Sequence, residues 1–231
     1  MKRLFRIPTA SLLVLSTTLP VLAGDWPQWR GPDRNGSSKE TGLLQEWPKE
    51  GPKLLWTSTD IGSGYSAPSV ASGRLYVLGN EGLDNEFVQA LGVNDGKRVW
   101  RTRLGNVGNP KQEPNFPAAR STPTVEGEFL YALSSDGDLA CLEIANGKVR
   151  WQKSLRTDFG GKPGAWAYSE SPLIDADTLV CTPGGSQATL VALNKKTGEL
   201  IWKSATPEGD DAAFASAIVV GALLVGAAVA A

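Results

Sequence analysis

"LEIANGKVRW" (residues 142–151) is a short apolar run, a turn closed by glycine, and a second run that ends on tryptophan. The same pattern occurs three times: "LGVNDGKRVW" ends at Trp100, "LEIANGKVRW" at Trp151 and "LNKKTGELIW" at Trp202. Each tryptophan lies 51 residues after the one before, and Gly96, Gly147 and Gly198 keep the same step. Two landmarks held in phase over two periods mark an internal repeat.

Working outward from the turn, each unit opens with a strand marked by serine and proline: "YSAPSVA" at 65, "RSTPTVE" at 120 and "SESPLID" at 169. A more apolar strand follows ("RLYVLG", "FLYALS", "TLVCTP"), then a turn, which is compact in "SDGD". The third strand is "FVQALGV", "LACLEI" or "TLVALN", and the glycine turn leads into the tryptophan strand. Four short strands per roughly 50 residues, with turn signals between them, describe a β-propeller blade. The expected fold is therefore all-β, a partial β-propeller of about three to four four-stranded blades.

The closing turn has a physical basis. Glycine takes the positive φ that other residues resist, so it closes the hairpin without strain. Tryptophan lies four residues further on, an even number, which predicts that glycine and indole project from the same face. A flat ring above a residue without a side chain can reach the neighbouring sheet and bury about 200 Å² of aromatic surface. Gly96, Trp100, Gly147, Trp151, Gly198 and Trp202 are thus expected to dock blade against blade.

These residues resemble the tryptophan-docking motif A-x-D-x-x-T-G-K-x-x-W of the PQQ-like repeat family, which includes quinoprotein dehydrogenases and outer-membrane-assembly-like propellers. "ALGVNDGKRVW" keeps Ala90, Gly96, Lys97 and Trp100 but has Gly92 where the motif has its acid. "CLEIANGKVRW" has Cys141 for alanine and Glu143 near the acid, and "ALNKKTGELIW" has Asn194 for the acid. The resemblance covers about residues 56 to 220, and "DWPQWRGPDRNG" from Asp25 is similar to the mature start of secreted members. It implies either a non-enzymatic scaffold or a dehydrogenase that uses pyrroloquinoline quinone (PQQ) with calcium. The adjacent cysteine pair of many such enzymes has no counterpart here, and no cofactor-binding residue is assigned.

The ends differ from the repeats. "MKRLFR" followed by an apolar stretch, with Val21 and Ala23 before the cut, reads as a signal peptide over residues 1–23. A membrane anchor or a buried first helix is the other reading, and Pro20 interrupts the stretch. Export makes the protein periplasmic or secreted. Residues 24–55 form an N-terminal extension, 56–211 the repeats and 212–231 an uncharged tail. "FASAIVV" from Phe214 restarts the unit, so the tail reads as an aborted fourth blade, a membrane anchor or an apolar edge strand. Removal of the tail is expected to leave three units folded.

Composition narrows the chemistry. Losing Lys2, Arg3 and Arg6 with the signal peptide moves the formal charge from −1 to −4, and no basic run invites a nucleic acid. With no histidine in the chain, Ser-His-Asp triads and His-ligated zinc are excluded. No catalytic residue and no metal ligand is assigned, and clustered acids such as Asp136 and Asp138 read as turn residues. Cys141 and Cys181 fall at different points of their units, which favours two buried, unpaired thiols. The long connections 105–120 and 157–171 carry Phe116, Arg120, Trp166, Tyr168 and Glu170. They are the candidate ligand or partner loops, with the alternative that their aromatics fold back onto the blades. A protein partner, or self-association through exposed blade edges, is expected, with membrane contact through the tail as a further option.

Overall fold

The computed structural model describes residues 24–111, 117–220 and 223–225. The signal-peptide stretch, Phe116 and the end of the tail lie outside them. Three antiparallel four-stranded sheets follow one another along the chain. The first contains β1 (Ser69–Ala71), β2 (Arg74–Glu81), β3 (Asn85–Gly92) and β4 (Arg98–Gly105). The second contains β5 (Thr124–Glu126), β6 (Phe129–Leu133), β7 (Asp138–Glu143) and β8 (Val149–Ser154). A five-residue helix, α1 (Leu155–Phe159), precedes the third, which contains β9 (Leu173–Asp175), β10 (Thr178–Cys181), β11 (Leu190–Asn194) and β12 (Leu200–Ser204). β13 (Ile218–Val220) and β14 (Leu223–Val225) pair antiparallel in a separate two-stranded sheet. The fold is a partial β-propeller.

The sheets stack face to face, and apolar residues fill the two gaps between them. Tyr76, Leu78, Val88 and Trp100 of the first sheet meet Leu130, Ala140 and Leu142 of the second. Tyr131, Leu139 and Cys141 meet Leu179, Cys181 and Val191 of the third. Beyond the third sheet, among the described residues, a small cluster is made by Leu173, Val180, Ala192 and Ala217. Both cysteines are buried and unpaired.

Serine and threonine in the opening strands tie the blades together along the axis. The Ser66 hydroxyl donates to Ser121 O at 2.6 Å, Ser121 Oγ to Glu170 O, and Thr124 Oγ1 to Pro172 O at 2.6 Å. The Thr122 N–H donates to Ser171 Oγ at 3.0 Å and the Ser171 N–H to Ser216 Oγ at 2.8 Å. Prolines beside these positions have no N–H to satisfy, so hydroxyls carry the pairing that a ladder would otherwise supply.

The N-terminal segment crosses these strands. Trp26 pairs with Val70 through both backbone groups, and the Val125 N–H donates to Pro27 O at 2.8 Å. Arg34 reaches the third blade and donates from Nη2 to Ser171 O and from Nη1 to Pro172 O, each at 3.2 Å. Residues 24–36 thus clip three blades together, whereas Leu43, Leu44, Trp47, Leu54 and Leu55 further along the extension are exposed.

The first residues of the tail pack on the third blade. Ala212, Ser216 and Ala217 are buried, and the Ala212 N–H donates to Lys162 O at 2.7 Å. Residues 212–217 thus pack in part against the third blade, and β13 starts at Ile218. Among the described residues no helix is long and apolar enough to cross a membrane.

Candidate functional site

Each docking site is built from a hairpin turn and an indole. Gly96, Gly147 and Gly198 have φ of 65°, 75° and 71°. The ring above each glycine comes from the preceding tryptophan of the series: Trp56 over Gly96, Trp100 over Gly147 and Trp151 over Gly198. A Cβ on these glycines would lie 2.4, 2.5 and 2.8 Å from ring atoms, so no other residue fits. Each indole Nε1–H donates to the carbonyl three residues before its glycine: Val93 at 2.9 Å, Ile144 at 2.9 Å and Lys195 at 3.0 Å.

The parity argument fails for a local reason. Between turn and tryptophan, every blade has a bulge: Leu91 pairs with Arg98 but Ala90 with Trp100, Leu142 with Val149 but Cys141 with Trp151, and Leu193 with Leu200 but Ala192 with Trp202. The extra residues Val99, Arg150 and Ile201 break the period of two and re-aim the following side chain. Trp56 was not assigned from the sequence, although "LLWTS" at 54–58 parallels "LIWKS" at 200–204.

The candidate loop residues separate into two groups. Arg120 and Trp166 come together: the Arg120 guanidinium lies 4.8 Å from the Tyr65 ring centre and 5.9 Å from that of Trp166. Tyr65 is 53% exposed and Trp166 37%, and a cleft of about 610 Å³ opens beside them between Gly62, Tyr65, Asn80, Leu83 and Pro117. Tyr168 and Glu170 are instead buried. Tyr168 lies against Gly137 and donates its hydroxyl to Pro183 O at 2.9 Å. It folds back onto the blades because Gly137 leaves room for its ring. The connection is steered there by α1, whose N-terminus is capped by Ser154 and which ends at Gly160 with φ 64°. Five residues are too few to show a helical period in the sequence.

Glu170 sits under the N-terminal clip. Its Oε1 accepts the Thr182 N–H, and its Oε2 has no hydrogen-bond partner among the described residues. Burial pushes its carboxyl up to about 7, opposed by the Thr182 contacts and the nearby Arg34 charge. Burial also lowers Arg34 to about 10. Glu86 behaves similarly: its carboxylate accepts the Ser135 N–H at 2.9 Å, and burial raises it to about 7.

A carboxyl whose folded value lies above the ordinary 4.5 binds its proton more tightly when folded. The resulting stability is present below about pH 4.5 and is lost as pH rises through 7. The melting temperature is thus expected to fall across this window, and Glu170→Gln, which keeps the acceptor for Thr182, should flatten the fall by about 4 °C. Identical slopes in thermal melts of both proteins from pH 4.5 to 7.5 would contradict it.

The outer surface of the third blade differs from its counterparts. Trp100 is 8% exposed, whereas Trp202 is 38% exposed, next to Leu200 at 47% and Ile201 at 53%. Among the described residues, no group of three or more His, Cys, Asp or Glu side chains converges as a metal would require.

Stacked four-stranded blades joined by indole-on-glycine contacts define a β-propeller repeat protein of the PQQ-like class. The profile of the outer membrane protein assembly factor BamB matches residues 33–187 and 85–229, and the chain belongs to that family. It is 30% identical to "Outer membrane protein assembly factor BamB" of Moranella endobia over 49% of this chain and 30% of that protein. It is 25% identical to the Shewanella oneidensis protein of the same name over 71% of this chain and 39% of that one. The chain thus spans well under half the length of these relatives. Among solved structures, quinohemoprotein alcohol dehydrogenase from Comamonas testosteroni superposes with a TM-score of 0.57 at 18% identity, covering 79% of this chain and 27% of that one. That likeness concerns the fold alone.

Proposed function

We propose that the chain is a non-enzymatic binding scaffold, exported to the periplasm, that presents propeller loops and an open blade face to a protein partner. The observation that carries this reading is the apolar end face at Leu200, Ile201 and Trp202. Contiguous exposed apolar surface of this kind marks protein interfaces more often than catalytic sites. The name shared by the relatives, an outer membrane protein assembly factor, supports a partner in outer-membrane protein assembly.

The other reading is a quinone-dependent alcohol or sugar dehydrogenase, or a fragment of one. Calcium beside PQQ asks for converging oxygen ligands. Here the obvious acids are engaged elsewhere: Asp136 pairs with Arg156, and Asp138 exchanges hydrogen bonds with Ser134. The residues described do not fit that cofactor pair.

A photoreactive amino acid placed at Ile201 and, separately, at Tyr65 tests the scaffold reading in cells. Cross-linking of either position to a component of the outer-membrane assembly apparatus, identified by mass spectrometry, is expected. No cross-link from either position would overturn it, as would stoichiometric PQQ binding with alcohol-dependent dye reduction.

A further inference from the structure

The repeat allows the clefts between neighbouring blades to be compared position by position. Val93, Ile144 and Lys195 occupy the same place, because their N–H groups donate to Gly73 O, Glu128 O and Asp177 O in turn. Ala71 and Glu126 correspond likewise, since each closes the first hairpin of its blade opposite Arg74 or Phe129. Between the second and third blades a lysine plugs the cleft. Lys195 Nζ donates to Ala176 O at 2.5 Å and pairs with Glu126 of the second blade at 2.8 Å. Between the first and second blades, Ile144 stands in place of the lysine and Ala71 in place of its acid. A cleft of about 550 Å³ is open there, and both of its walls belong to complete four-stranded blades.

One wall carries a buried hydroxyl in search of an acceptor. Tyr76 lines the cleft, its ring centre 6.0 Å from that of Trp100, and its hydroxyl makes no hydrogen bond among the described residues. The equivalent Tyr131 lies near the Cys141 thiol, whereas the residue paired with Tyr76 is Ala90, which has no polar side chain. A buried hydroxyl without a partner is costly, so one that lines a cavity points to a ligand. Arg74 stands beside it. Its Nη1 donates to Ile144 O and, at 3.1 Å, to Ala145 O, while Nε and Nη2 make no hydrogen bond among the described residues. Arg150 and Glu143 neutralise one another at 3.1 Å, and nearby Asp25 is engaged by the Ser72 N–H at 3.3 Å. Arg74 and Glu128 are left as lining charges of opposite sign, neither in an ion pair among the described residues. Phe129 and Ile144 add apolar wall.

We propose that this cleft binds a short zwitterionic peptide, its carboxylate held by Arg74 and the Tyr76 hydroxyl and its ammonium by Glu128. Hydrogen bonds from a guanidinium to a carboxylate are charge-assisted and stronger than neutral ones. The ammonium takes, on the hairpin turn of the second blade, the place that Lys195 Nζ takes on that of the third, where it bonds the turn carbonyl of Ala176. An apolar side chain of the peptide rests on Phe129 and Ile144, and the volume lies in the range of small-molecule sites. The proposal is independent of the scaffold reading, because neither wall belongs to the third blade.

The probes are alanyl-leucine, alanyl-phenylalanine and leucyl-leucine, titrated into the full chain by calorimetry. The Ile144 methyl resonance, assigned through Ile144→Val, reports the site. At least one dipeptide should bind one-to-one with Kd below about 1 mM and shift that resonance. Its C-terminal amide and its N-acetyl derivative should each bind about tenfold more weakly or worse. Tyr76→Phe, which keeps the ring against Trp100, should weaken binding about tenfold. Ile144→Lys, which rebuilds the plug of the next cleft, should abolish binding while circular dichroism and melting match the parent. Absence of binding by all three dipeptides would overturn the proposal, as would derivatives that bind as tightly as the free peptide. Unchanged affinity in Tyr76→Phe would also overturn it, and this arm, with the ligand series, stands even if Ile144→Lys fails to fold.

Discussion

Trp151, partly buried between the second and third blades, should on truncation to Ala destabilise the chain by about 3–5 kcal/mol, the range for removing a large packed aromatic side chain. Trp151 lies across the boundary between the second and third blades. Its ring covers Gly198, its Nε1–H donates to Lys195 O at 3.0 Å, and its centre lies 6.3 Å from that of Tyr131 at an interplanar angle of 44°. Truncation empties this space and leaves the Lys195 carbonyl without its indole partner. The rest of the boundary, from Leu139 to Val191, cannot close the gap, because the blades are held apart by their own hydrogen-bonded strands. A fall in melting temperature of about 6–20 °C is expected for a chain of this size. Trp202→Ala is the internal control, since its ring is 38% exposed and covers no glycine among the described residues. Its loss should change stability by less than about 1 kcal/mol. Equal melting temperatures for Trp151→Ala and the parent would show that the indole is not a docking residue. Equal losses for the two substitutions would show that coverage of a glycine is not what distinguishes them.

What the sequence revealed and what it concealed divide along the repeat. The 51-residue step and the glycine turns made the blades legible, because a structure built by repetition states the same constraint several times. The partner of each indole was not legible. Val99, Arg150 and Ile201 are ordinary strand residues, and nothing in their chemistry announces the bulges that redirect Trp100, Trp151 and Trp202. Arg34 was hidden for a different reason. It occurs once, in an extension outside the repeat, and its acceptors at Ser171 and Pro172 lie more than 130 residues away. Among the loop residues, Tyr168 and Glu170 have the composition of a binding surface. Their burial depends on the room beside Gly137 and on the clip above Glu170, both set by tertiary contacts that no local pattern records.

Two truncations separate the packed part of the tail from its hairpin. Deleting residues 218–231 removes β13 and β14 and should leave the three-blade core melting within a few degrees of the parent. Ile218 and Val219 are each 40% exposed, so little buried surface is lost with them. Deleting residues 212–231 also removes Ala212, Ser216 and Ala217. The Ser171 N–H, which donates to Ser216 Oγ at 2.8 Å, then loses its acceptor, as does Lys162 O its donor at Ala212. A buried group left unpaired costs about 1–3 kcal/mol, so the longer deletion should cost about 2–5 kcal/mol more than the shorter one. The two should differ oppositely in association. An apolar strand pair with an open edge and no charged residue to discourage pairing favours aggregation, so the shorter deletion should shift sedimentation profiles towards monomer. The longer deletion uncovers the third blade's inner residues, Leu173 and Val180, and should aggregate more than the parent on warming. Identical melting of the two truncated chains would mean that residues 212–217 contribute nothing to the third blade. Unchanged sedimentation after loss of 218–231 would mean that the edge of the hairpin is not where chains meet.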